Sequence, residues 1–147
     1  MKSIFNTKDN QEIIARIHKL TPESQAVWGK MNVDQMFKHT NEALIVAFGE
    51  NTVKVNFFMR LLGRMLKNKV FNSEFKRNSP TAKEFIFTDN YDFETSKKEL
   101  VKNFSRFAEG HQSIKITDHP FWGKMNYEDW NKLMWNHVDH HLRQFRV

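Results

Sequence analysis

Seven histidines, at positions 18, 39, 111, 119, 137, 140 and 141, are spread along a chain of 147 residues that contains no cysteine. The missing cysteine excludes disulfides, thiolate metal sites and a cysteine nucleophile, so any metal must be held by nitrogen or oxygen. The informative cluster is His137-Val138-Asp139-His140-His141. On a helix, residues three and four apart are neighbours, so His137 can pair with His140 or with His141. A helical wheel separates the two. His137 and His141 share an arc with Trp130, Leu133, Met134 and Phe145, whereas His140 falls at the rim, toward the side carrying Asp129, Asn136 and Arg143. Two imidazoles facing an apolar interior need partners, because an unpaired buried polar group costs about 1–3 kcal/mol. A shared metal ion satisfies both at once; core histidines satisfied by protein neighbours are the alternative reading of the same pair.

A third ligand must come from another helix, and His39 is the candidate, close to Met36, Ala43 and Val46 on its own helix. Glu42 and Gln35, one turn to either side, are candidate ligands or acceptors for an imidazole N–H. Three histidines leave at least one coordination position open, as in catalytic rather than closed structural sites. For handling or orienting a proton, His140 and Glu42 are the candidates, ahead of Asp139, which projects away from the histidine face. His18, His111 and His119 are read as core or exposed residues.

The elements that position these residues follow from periodicity and capping. Asp9 and Glu12 frame a capping box for a first helix over QEIIARIHKL, and Thr21-Pro22 breaks it. Asn32 as N-cap, with Gln35 three residues on, starts a second helix through VDQMFKHTNEALIVAF to Gly49. In VKVNFFMRLLGRMLKNKV, the pairs Phe57-Phe58, Leu61-Leu62 and Met65-Leu66 predict a further amphipathic helix whose apolar residues suit burial, or a lid over the bundle. Residues 68–90 are irregular, with EFIFT as a short extended piece. Helices are expected from Phe93 to Ala108, ending at Gly110, and from Tyr127 to Phe145. The run Trp28-Gly29-Lys30-Met31-Asn32 reappears as Trp122-Gly123-Lys124-Met125-Asn126, each leading into a histidine-bearing helix. With no linker or low-complexity tract, residues 1–147 read as one all-α domain.

The histidine of WGKMNVDQMFKH, His39, and the ending WNKLMWNHVDHHLRQF resemble the DinB-like superfamily over nearly the whole chain. The resemblance implies a four-helix bundle with a long crossover, here with an additional amphipathic helix around Phe57 to Lys67. It also implies a divalent metal in a cleft, held by histidines that fall on His39, His137 and His141. Some members are metal-dependent transferases that join low-molecular-weight thiols to electrophiles, and others are described as hydrolases. Where the commoner pattern has Arg-Gly-Gln after the last histidine, this chain has Leu142-Arg143-Gln144.

The expected function is therefore divalent-metal binding, with activation of a low-molecular-weight thiol or of water for transfer or hydrolysis. The alternatives are a non-catalytic metal-binding or stress protein and a basic amphipathic module that touches membrane or nucleic acid through the Phe57 to Lys67 helix, whose paired apolar residues suit burial or a lid at least as well. Imidazole ligands point to Zn, Ni or Fe. The expected partners are a small-molecule substrate and, through a second apolar stripe at Trp135 and Leu142, either the extra segment or a second copy in a homodimer. The net charge of +6 gathers between Lys54 and Arg77. Lacking a nucleic-acid motif or stacking platform, it reads as a solvated face, so no nucleic-acid partner is expected. Neither a signal peptide nor an apolar run of spanning length is present, so no membrane partner and a cytoplasmic location are expected.

Overall fold

The computed structural model describes residues 2–51 and 53–147, and five α-helices carry its architecture. Helix α1 runs Thr7–His18, α2 Val33–Ala47, α3 Phe57–Phe71, α4 Phe93–Ser105 and α5 Tyr127–Gln144. The first helix starts earlier than Asp9 and Glu12 suggest. Asn6 is its N-cap, taking the Asp9 N–H at 3.1 Å, while the Asp9 carboxylate accepts from the Ser3 N–H at 2.9 Å. Asp9 thus lies inside the first turn, where its negative charge suits the helix N-terminus.

The repeated WGKMN run builds the same start twice. Asn32 and Asn126 both cap, and reciprocal bonds from Gln35 and Asp129 complete a capping box on each. Gly29 and Gly123 turn the chain with φ of 79° and 72°, a region that favours glycine. Helix α4 is shorter than its periodicity predicts. Asp92 caps it, and after Ser105 it tightens into a 3-10 turn, Arg106–Glu109, before Gly110. EFIFT forms no strand: Lys83–Phe85 is a 3-10 turn. A small antiparallel pair, Asp118–His119 (β1) with Gly123–Lys124 (β2), occupies what reads as loop.

Helix α2 packs on α4 and α5, and α1 packs on the same two helices. The core between them is rich in aromatics: Phe37, Phe104, Phe107 and Trp130 are fully buried. Leu142 is also fully buried and Trp135 packs against the core, so the second apolar stripe of α5 is largely satisfied within the chain.

Helix α3 lies outside this arrangement, against α5 and β2, and it reverses the expected orientation. Val70 and Phe71 at its end pack on the core, but before them the face turned to the protein is polar apart from Gly63. Arg60 reaches Asp118 at 2.5 Å, and Lys67 reaches Asp129 at 2.9 Å and the Lys124 carbonyl at 2.7 Å. Gly63 sits so close to the hairpin that a Cβ there would overlap the Phe121 carbonyl oxygen. The paired apolar residues face away and are exposed. They are therefore neither buried in the bundle nor a lid over it. No helix of the described residues is long and apolar enough to cross a membrane.

Candidate metal centre

Helices α2 and α5 touch, and their contact brings His39 to His137 and His141. His39 Nε2 lies 3.0 Å from His137 Nε2, which lies 3.2 Å from His141 Nε2. The three rings stand edge to face, with centroids 4.8–5.0 Å apart. Among the described residues these three form the one group of histidine, aspartate or glutamate able to share a metal ion, with ligand atoms all within 4.8 Å. His39 and His141 are buried and His137 is half-buried.

The far side of each ring decides which nitrogen is free. His39 Nδ1 lies 2.9 Å from the Phe85 carbonyl oxygen, which can only accept, so Nδ1 carries the proton and Nε2 presents a lone pair. His141 Nδ1 lies 2.9 Å from Gln144 Oε1. The amide orientation is fixed in turn, because Gln144 Nε2 donates to the Trp28 carbonyl at 2.7 Å. His141 therefore also turns a lone pair toward the cluster. With the other two nitrogens bare, a proton on His137 Nε2 can make a full hydrogen bond to only one of them, whereas a divalent cation accepts all three. The donor set fits such an ion.

Electrostatics points the same way. Burial holds His137 well below its ordinary pKa, helped by His141 and His39 beside it. Burial also lowers His141, to about 3, with His39 adding to the shift and Gln144 opposing it. His39 is lowered by burial against the opposing pull of the Phe85 carbonyl. At all three rings burial favours the neutral form, the one that binds metal.

The other expected site residues separate. His140 does not join the cluster, and it is not at a polar rim. Its ring packs 5.6 Å from Trp28, 6.1 Å from Phe75 and 5.2 Å from His141, and the residue is buried. Trp28 and the chain after α3 cover that side of α5, which a wheel of one helix does not show. Glu42 lies away from the histidines, bound to Lys38 Nζ and Asn51 Nδ2 at 2.9 Å each. Gln35 is used by the capping box and by the Asp89 carbonyl. Asp139 is paired with Arg16 and Arg143. The groups that orient two of the three rings are instead Phe85, through its backbone, and Gln144. The i, i+3 spacing of Gln144 from His141 was the available signal for the second; nothing in the pattern of residues 68–90 signals the first.

The fold and site define a mostly helical protein with a three-histidine cluster able to hold a metal. The chain belongs to the family described as "Protein of unknown function (DUF1569)", whose model matches residues 2–147. No curated protein and no solved structure matches it.

Proposed function

We propose that this protein binds one divalent metal ion through His39, His137 and His141 and uses it to activate a low-molecular-weight thiol or water. The observation that carries the proposal is the convergence of three imidazole nitrogens, with the opposite nitrogen of two rings committed to an acceptor. The cyclic packing of α1, α2, α4 and α5, with α3 outside, is what a four-helix bundle of DinB-like type with an added amphipathic helix would give. When bound, the ion supplies Lewis acidity, lowering the pKa of a thiol or water brought to its open side. The chain orients His39 through Phe85 and His141 through Gln144. His140, next to His141, is the proton-handling candidate; Glu42, engaged elsewhere, is not.

Elemental analysis of the purified protein, before and after chelation and beside His39→Ala, tests the site. Near-stoichiometric metal that is lost in a variant with unchanged circular dichroism is expected. No metal uptake by the native chain after addition of Zn or Ni overturns the proposal. Loaded protein assayed with thiols plus electrophiles, and separately with hydrolysable esters and amides, then distinguishes transferase, hydrolase and non-catalytic metal-binding protein.

A further inference from the structure

Helix α3 turns Arg60 and Lys67 to the protein and the apolar residues from Phe57 to Met65 to solvent. Phe57, Phe58 and Met65 are 73%, 80% and 74% exposed, and Leu61 and Leu62 lie between them at 47% and 45%. Their positions, one turn apart from Phe57 to Met65, make one continuous apolar stripe along the first turns of the helix. The orientation is built in rather than incidental. Arg60 and Lys67 are tied to Asp118 and Asp129 at the back, and the close contact of Gly63 with the hairpin admits no larger residue. An amphipathic helix presented in this way has its partner outside the chain.

Charge selects the kind of partner. Residues 51–73 contain no aspartate or glutamate, while Lys54, Arg64 and Lys69 are exposed around the stripe. If α3 paired with α3 of a second copy in antiparallel fashion about Leu61 and Leu62, Lys54 would meet Lys69, with no acid in the segment to separate them. A parallel pair would set Lys69 against Lys69. Like charges so placed oppose association. Cation of one sign gives an acidic protein partner no pattern of alternating charge to read, but it suits a uniformly anionic plane. Long lysine stems at the margin of an apolar stripe can lie along it while their ammonium groups reach headgroups.

We propose that α3 is an interfacial membrane-binding helix, which lays Phe57, Phe58, Leu61, Leu62 and Met65 into the surface of an anionic bilayer with Lys54 and Lys69 at the phosphates. The expectation of no membrane partner rested on the absence of a spanning segment, whereas an interfacial helix needs only an exposed apolar face, and these residues are exposed. This inference stands apart from the metal proposal.

The test is co-sedimentation of the full chain with vesicles of phosphatidylcholine alone or mixed with phosphatidylserine. Light scattering of the free protein is measured alongside. Binding to the mixed vesicles that weakens with added salt is expected. Phe58→Ser combined with Met65→Ser should weaken it by about a hundredfold, as two apolar side chains are withdrawn from contact. Lys54→Gln with Lys69→Gln should remove the preference for phosphatidylserine. Both pairs lie on the exposed side, so melting temperature and metal content should be unchanged. Equal binding to neutral vesicles, binding undiminished in the serine variant, or no binding at all overturns the proposal. A dimer in free solution that the serine variant dissociates also overturns it, in favour of self-association.

Discussion

The side-chain oxygen of Gln144 accepts the Nδ1–H of His141 at 2.9 Å, a bond within the last turn of α5 that leaves the other nitrogen of the ring facing His137. The amide of Gln144 donates onward to Trp28, and its backbone carbonyl accepts from the Val27 N–H at 2.9 Å. The last turn of α5 is thereby locked to the WGKMN run that starts the helix bearing His39.

Gln144→Ala should therefore weaken zinc binding by about 10–100-fold, the usual effect of losing a group that orients a histidine ligand. Competition against a chromophoric chelator measures this, with thermal melting of the apo form as the control for folding. Affinity equal to the native value would show that His141 needs no orienting partner.

His140→Ala and Glu42→Gln should each leave metal stoichiometry intact, since neither side chain reaches the cluster. If His140 handles a proton, turnover by the loaded His140→Ala protein should fall by about 10²–10⁴-fold, the range for general acid–base groups. Metal lost from either variant would redraw the ligand set.

Acid should destabilise the metal-free protein in a defined window. Burial lowers His119 to about 4 from an ordinary value of 6.5, and its Nδ1 accepts the N–H groups of Phe121 at 3.0 Å and Trp122 at 3.2 Å. Protonation would set a third donor against two. The unfolded chain takes up the proton first, so stability is complete above pH 6.5 and is lost as pH falls to about 4, by up to about 3 kcal/mol from this residue. The lowered values of His39, His137 and His141 act in the same direction. In His119→Asn, an amide oxygen accepts the same two bonds without titrating, so the fall measured by urea unfolding of chelated protein should be smaller. An unchanged fall would remove His119 from the account.

Gly63→Ala should loosen α3 from the hairpin, costing about 1–3 kcal/mol of that docking as the new Cβ meets the Phe121 carbonyl. Limited trypsin digestion should cut faster at Arg60 and Lys67, both held in ion pairs while α3 is seated. Metal content should stay at the native level, because the ligands lie on α2 and α5. Digestion at the native rate would show that the hairpin yields.

The parts of the fold legible in the sequence are those fixed within one or two turns of helix. Asn32 and Asn126 declare their helices by residue type and by Gln35 and Asp129 three residues on. His137 and His141 share a face by spacing alone. What was illegible depends on contact between segments. The orientation of α3 reversed the usual rule that an apolar face is buried, because Asp118 and Asp129, distant in sequence, bind its cations instead. His140 reads as a rim residue until Trp28 and Phe75 cover it. Glu42 is one turn from His39, yet Lys38 and Asn51 hold it elsewhere.

The group that fixes the His39 ring is the main-chain oxygen of Phe85. Replacing the side chain at position 85 leaves that oxygen in place, so a scan that exchanges residues one at a time would pass over it. Its vulnerability is to chain length. A residue inserted or deleted between α3 and the 3-10 turn shifts which carbonyl meets the imidazole, and the segment can drift in composition more freely than in length.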